Sequence, residues 1–209
     1  MSEAEWREHW QGVYTRNAST AVSWYQSHPS VSLDLIRASG LHPEERLIDI
    51  GGGASTLVDH LLDGGFRAVT VLDIAGPALA AARDRLGERA SLVEWIEANV
   101  TSWHPPADYG LWHDRAVFHF LTEAGDRAAY KATLDRAVRV DGTVIIATFA
   151  PDGPERCSGL PVVRYSPEGL SAELGPAYRL EQVAHDDHHT PAGRRQRFVC
   201  CRFRRTAAR

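Results

Sequence analysis

The chain has 209 residues, 44% of them apolar, and a formal net charge of −4 from 23 Lys and Arg against 27 Asp and Glu. That length suits one α/β domain with a sizeable core, and the mildly negative charge excludes a general electrostatic pull toward nucleic acid or membrane. Three cysteines, Cys157, Cys200 and Cys201, fit neither a disulfide framework nor a zinc site, and no apolar run has signal-peptide or membrane-spanning character; the expectation is one soluble, cytoplasmic domain over 1–209 with no metal.

Residues 1–45 are rich in large aromatics: Trp6, Trp10, Tyr14, Trp24 and Tyr25. Trp6 and Trp10 are four apart, on one face of a predicted first helix that they staple to the rest. Trp24 and Tyr25 lie in a non-periodic segment before His28-Pro29-Ser30, where Ser30 or Ser32 caps a helix carrying Leu33, Leu35 and Ile36. For this pair two readings stand, a lid over a ligand or plain packing.

The centre of the sequence is Arg46–Thr56, R-L-I-D-I-G-G-G-A-S-T. Leu47, Ile48 and Ile50 form a strand-type run, Gly51, Gly52 and Gly53 stop it, and Leu57, Val58, Leu61 and Leu62 follow at helical spacing. A strand, a glycine turn and a helix aim free N–H groups at an anionic or polar ligand. A second apolar run, Ala68–Leu72, ends in Asp73, about twenty residues past the glycines, where a carboxylate accepts from both hydroxyls of a ribose. A dinucleotide fingerprint wants a glycine where Thr56 stands, and Asp49 ahead of the turn repels a pyrophosphate but pairs with a cation. In Asp49, Gly51 and Gly53, with Ser55 in the third small position, the stretch resembles the class I methyltransferases that use S-adenosylmethionine.

Further along, Pro77 opens a helix to about Leu86, and Ser91–Ile96 reads as a third strand followed by Glu97-Ala98-Asn99-Val100. On local chemistry Asn99 is a turn former; by the resemblance it bonds the adenine amino group while Val100 packs on the ring. Pro105-Pro106-Ala107 leads into a fourth strand, Tyr109–Trp112, and then His113, Asp114, Arg115 and His119 crowd a strand end, the place where open α/β sheets bind ligands. Asp114 and Arg115 also read as a structural ion pair, and His119, between apolar neighbours, as a satisfied buried histidine.

A helix is predicted over Glu123–Val138, stopped at Gly142, and then a doubly buried strand, Thr143–Phe149. The irregular stretch Ala150–Tyr165 is placed to close over a substrate, offering Cys157, Arg164 and Tyr165; the thiol is read as passive, because methyl transfer needs no enzyme nucleophile. Ser166 caps a short helix begun by Pro167, and Tyr178–Ala184 and Gln196–Phe203 read as two strands joined by a solvated loop carrying Asp186, Asp187, His188 and His189. The arginines of 194–209, with no interleaved aromatic platform, form a solvated edge and tail.

The resemblance spans about residues 45–204, with 1–45 as a helical cap. It implies a doubly wound, Rossmann-like, seven-stranded, mostly parallel α/β sheet whose last strand is antiparallel. S-adenosylmethionine is then the implied cofactor, against Asp49, Gly51, Gly52, Gly53, Ser55, Asp73, Ile74, Asn99, Val100 and Asp114. Methyl transfer proceeds by in-line displacement at a sulfonium. A base, where the acceptor arrives protonated, is expected at His119 or at His113 oriented by Asp114. The acceptor is expected to be a small molecule, a thiol first, held by Trp24, Tyr25, Arg115, His119, Cys157, Arg164 and Tyr165, in a monomer or homodimer. Protein-lysine methylation, a non-catalytic adenosine-binding module and a dehydrogenase are the alternatives.

Overall fold

A computed structural model describes residues 1–105 and 108–206. Pro106 and Ala107, in the approach to the predicted fourth strand, and residues 207–209, which include the last tail arginine, Arg209, lie outside the described residues.

Seven strands form one sheet: β1 (Leu47–Ile50), β2 (Val69–Asp73), β3 (Val93–Glu97), β4 (Tyr109–Arg115), β5 (Val138–Phe149), β6 (Tyr178–His189) and β7 (Arg195–Arg205). Their order is β3-β2-β1-β4-β5-β7-β6. β1 to β5 pair in parallel, while β7 runs antiparallel to both β5 and β6. The order reverses between β1 and β4, and the crevice beyond their carboxyl ends is where such sheets bind ligands.

Helices cover both faces because the pleat sends alternate residues of each strand to opposite sides. Leu47, Val69, Val71, Leu111, Ile145 and Ala147 pack with Leu35 and Ile36 of α2 (Ser30–Ala38), Leu57, Val58 and Leu61 of α3 (Leu57–Asp63) and Leu79 and Leu86 of α4 (Gly76–Leu86). Ile48, Ile50, Leu72, Trp112, Val144 and Ile146 pack with Tyr130 and Leu134 of α5 (Ala124–Ala137) and Leu170 and Leu174 of α6 (Pro167–Leu174). Cys200 and Cys201 fall in different clusters for the same reason. α1 (Glu3–Arg16) begins with a capping box between Ser2 and Glu5.

Several boundaries differ from expectation, and each has a local cause. β4 runs on through His113, Asp114 and Arg115, since β1 and β5 pair with it to that point. Gly142 is not the turn: Asp141 takes the left-handed conformation (φ 62°), and β5 begins directly after α5 at Val138. The predicted loop with Asp186 to His189 belongs to β6, which stays paired with β7 as far as His189 opposite Arg195. Ala150–Tyr165 is stitched down by a two-residue hairpin, Arg156–Cys157 against Leu160–Pro161, and by N–H donation from Val163 to the His119 carbonyl and from Tyr165 to the Phe149 carbonyl. No helix among the described residues is long and apolar enough to cross a membrane.

On the α5 face a buried chain of polar groups crosses the core. The Trp112 indole donates to the Tyr130 hydroxyl at 2.8 Å, and that hydroxyl donates to Asp114 at 2.6 Å. Removing the middle group orphans a donor and deprives a buried carboxylate. Tyr130→Phe should therefore lower the unfolding free energy by about 1–3 kcal/mol, measured by urea denaturation as a lower midpoint with an unchanged slope.

Candidate functional site

Where β1 and β2 end, the chain has to turn without side chains. At Gly51 (φ +64°) a Cβ would lie 2.1 Å from Val117 Cγ2; at Gly52 it would lie 2.5 Å from Asp49 Oδ2, and at Gly53 (φ +37°) 2.5 Å from Asp73 Oδ2. The turn is bare backbone laid against two carboxylates and a valine, and only glycine fits.

Above it lies a cavity of about 270 Å³. Gly51, Asp73, Ile74, Ala98, Asn99, Val100 and Thr101 line it from the sheet side, with Val117 and Leu121 beside them. Trp6, Trp10 and Tyr14 of α1 close it from above, and Trp24, Phe120, Arg115 and Cys157 complete the wall. The aromatics brace each other edge to face: Trp10 on Phe120 at 5.0 Å, Trp10 on Trp24 at 5.7 Å, Trp6 on Phe120 at 6.2 Å and Tyr14 on Trp24 at 6.0 Å. α1 is tied over the sheet ends by Arg7, which pairs with Glu97 at 2.6 Å, and by the Ser102 hydroxyl donating to Glu3. Trp24, Ile50, Gly51 and Arg115 are shared with a second cavity of about 40 Å³, lined also by Tyr25, Ser32, Asp49, Gly52, Ser55 and His113.

Burial sets the electrostatics. It pushes the Asp73 carboxyl up to about 7, with the charges of Asp49 and Glu97 adding to the rise and N–H groups of Ala75 and Ile74 opposing it. Burial, and then the Asp73 charge, hold the Tyr14 phenol well above its ordinary value. Asp49 is held by His113, whose Nδ1 donates to Oδ1 at 2.7 Å while Nε2 lies in hydrogen-bond contact with the Ser32 hydroxyl at 2.9 Å. That chain joins the strand, the turn and α2. Arg115 donates to the Trp24 carbonyl at 3.2 Å and to Asp186 at 3.3 Å, over the Phe198 ring.

The expected base is not at the cavity. The pleat of β4 turns Asp114 to the α5 face, where it is fully buried and accepts from Val117 N–H, Phe118 N–H and Tyr130. This takes it out of the cofactor set as well as the catalytic one; burial raises it to about 6 against those donors. His113 points the other way and spends both ring nitrogens on Asp49 and Ser32. His119 sits in the 3-10 turn Phe118–Phe120, fully buried among Phe120, Phe149 and Phe198, with Nδ1 receiving the Phe149 N–H. Burial, and then the Arg115 charge, lower it to about 3, so it stays neutral and touches no substrate space. A base has to reach the proton it takes. The Asp114–Arg115 pair does not form either, because successive residues of a strand face apart and Arg115 meets Asp186 instead.

Of the expected acceptor residues, Trp24, Arg115 and Cys157 line the larger cavity. Tyr25 lines the smaller one. Tyr165 is buried against Phe118, and Arg164 reaches outward to Glu155 and the Gly153 carbonyl, so neither belongs to the wall. Of the expected cofactor residues, Gly51, Asp73, Ile74, Asn99 and Val100 line the larger cavity, Asp49, Gly52 and Ser55 the smaller, and Gly53 supports Asp73 from behind. Asn99 is a turn former as its chemistry suggests: its oxygen accepts from the Thr101 N–H and hydroxyl. The sequence offers no sign of the cavity roles of Val117, Phe120 and Leu121, and Asp186, expected in a solvated loop, is instead a largely buried partner of Arg115, 71 residues away, where no local pattern exists to read.

Residues 48–146 match the family model described as a methyltransferase domain. Over 150 residues, 68% of this chain, the sequence is 23% identical to the mouse (Mus musculus) eEF1A lysine and N-terminal methyltransferase, of whose length the match spans 21%, about a fifth. Among solved structures the chain is similar to one described as conversion of a disulfide bond into a thioacetal group during echinomycin biosynthesis, at 17% identity and TM-score 0.77 over 96% of this chain and 91% of that one. It is also similar to the Burkholderia thailandensis 1,6-didemethyltoxoflavin-N1-methyltransferase with bound 1,6-didemethyltoxoflavin and S-adenosylhomocysteine, at 20% identity and TM-score 0.67 over 99% and 91%.

The residues present fit a nucleoside cofactor: Asp73 lines the cavity, its Oδ1 taken by the Ala75 N–H and its Oδ2 against the bare backbone at Gly53. A ribose diol binds the ionised carboxylate. Affinity for S-adenosylmethionine should therefore rise with pH and level off above about 7, the Asp73 value in the free protein. Asp73→Asn should weaken binding about ten- to hundredfold and flatten that pH dependence; titration calorimetry across pH checks both.

Proposed function

We infer, for a chain that belongs to the class I S-adenosylmethionine-dependent methyltransferases, that its acceptor is a small molecule and that the methylated atom is a soft nucleophile, a thiol sulfur. The observation that carries this reading is the wall of the cavity. It is closed by Trp6, Trp10, Tyr14, Trp24 and Phe120, and among the described residues that line it there is no histidine. Its carboxylates are Asp73, assigned to the cofactor, and Glu3 and Asp126.

S-adenosylmethionine supplies an already activated, cationic methyl group. The protein's part is to hold the acceptor in line and to keep water out, which an aromatic enclosure does. With no histidine among the described residues of the wall and Asp73 assigned to the cofactor, the reading has the acceptor bring its lone pair ready. A thiol, ordinarily near 8.5, loses its proton to water with little help, whereas a lysine amine near 10.4 needs a base. Arg115 on the same wall repels an ammonium ion and attracts a thiolate. A neighbouring structure that concerns disulfide and thioacetal chemistry, and another that holds a small heterocycle, support the reading by analogy of fold. The competing reading, methylation of a protein amine, draws on the mouse relative and on Glu3 and Asp126, which would suit a basic peptide.

The test is transfer of an isotopically labelled methyl group from S-adenosylmethionine to a panel of arylalkyl thiols, amines, alcohols and lysine-bearing peptides, with products identified by mass. Label on the thiols, at a kcat/KM at least about tenfold above the other classes, is the expected result. Label on peptide lysine with none on thiols would sink the small-molecule reading, and no S-adenosylhomocysteine at all would mean a binding protein.

A further inference from the structure

We propose that Arg115 binds the acceptor as an anion, so that the substrate class is thiolates and the guanidinium, not a base, generates the nucleophile. This rests on the reading of a thiol acceptor. The carrying observation is a buried cation with donors to spare on the cavity wall. Arg115 ends β4 at the reversal of strand order, its side chain is 11% exposed, and it lines both cavities. A guanidinium has five N–H donors. Here two find protein acceptors, the Trp24 carbonyl at 3.2 Å and Asp186 Oδ2 at 3.3 Å, both long for a charged pair, and Nε finds none. Asp186 Oδ2 is shared, because it also accepts from Gln26 Nε2 at 3.0 Å.

The other titratable groups around Arg115 carry no charge to offset it. Cys157 of the hairpin, Cys200 of β7, His119 of the 3-10 turn and His188 of β6 all feel its charge. Burial pushes the two thiols up to about 11 and 12 and lowers both histidines, so all four are neutral near pH 7.5. Asp186 is the one carboxylate against the guanidinium among the described residues. A thiolate held against the guanidinium from the cavity side meets a cation whose one carboxylate partner is shared with Gln26 and sits at a long distance.

The step balances without an enzyme base. The thiol proton leaves to bulk water as the acceptor binds. A sulfur lone pair then forms the new sulfur–carbon bond, the methyl–sulfonium bond breaks with its electron pair remaining on the departing sulfur, and the products are a thioether and S-adenosylhomocysteine, both uncharged at sulfur.

The probe is phenylmethanethiol. Its ionisation is followed by thiolate absorbance in the complex with protein and S-adenosylhomocysteine, and the ascending limb of kcat is followed over pH with S-adenosylmethionine. In the wild type both should lie about one to three units below the pKa of the free thiol. Arg115→Met should return them to the free value, and Asp186→Asn, which leaves the guanidinium unshared, should move them further down. Each variant is first matched to the wild type in S-adenosylhomocysteine affinity and urea midpoint; should Arg115→Met not fold, Asp186→Asn alone decides by the sign of its shift. An unshifted thiol in the wild type, a depressed one in Arg115→Met, or an upward shift in Asp186→Asn would overturn the role of Arg115. Thiols methylated with an unshifted pKa would leave the thiol reading standing, whereas label found only on amines would remove both.

Discussion

Three glycines laid against two buried carboxylates and a valine are the constraint from which the site follows. Gly52 rests on Asp49 and Gly53 on Asp73, each at a distance no Cβ would tolerate. The charge of Asp49 helps to raise the Asp73 carboxyl, and the protein packs the two acids differently. Asp49 is given His113, and through it Ser32, so its charge is tied into the packing of α2. Asp73 has the Ala75 N–H on Oδ1 and the bare Gly53 backbone against Oδ2, lines the cavity, and its carboxyl rises to about 7. One acid is made structural and the other is kept available to a ligand.

The same economy operates one strand away. His113, Asp114 and Arg115 are consecutive and in β4, so the pleat distributes them: His113 toward the turn and α2, Asp114 toward Tyr130 and α5, Arg115 toward Trp24 and β6. His113 and Arg115 share one face but reach different partners, and Asp114 takes the other face. Register therefore does what a loop would do poorly, holding three ionisable groups at one sheet end without letting them neutralise one another.

How far this is legible in the sequence follows from the range of the forces involved. The strand, turn and helix at Leu47–Asp63 and the acid closing β2 are written in local patterns, apolar runs broken by glycine, whereas the seven-stranded sheet with its antiparallel last strand is expected from the family resemblance alone. The helix begun at Pro167 and ended by Gly175 in the left-handed region is equally local. What is not legible is where β4 stops, because its last three residues are strand only through pairing with β1 and β5, and that extension decides which face each side chain takes. Misplacing that boundary turns a distributed set into an apparent catalytic cluster. His119 misleads for a related reason: its exclusion from solvent depends on Phe149 and Phe198, thirty and more residues away.

The cavity's chemistry is consistent with this distribution. The histidines of the sheet end are drawn into the framework, His113 between Asp49 and Ser32 and His119 into an aromatic pocket where burial lowers it to about 3, while aromatic side chains, Arg115 and the carboxylates of Asp73, Glu3 and Asp126 line the cavity. Methyl transfer from a sulfonium tolerates that, since the electrophile is activated before it binds and the remaining barrier is one of alignment and exclusion of water. On the proposed reading such a wall discriminates by charge and shape, favouring a flat or apolar molecule whose nucleophile is already ionised over one that must first lose a tightly held proton. Selectivity would then reside in the state in which the acceptor arrives, set by a single guanidinium whose own counter-ion, Asp186, is shared with Gln26.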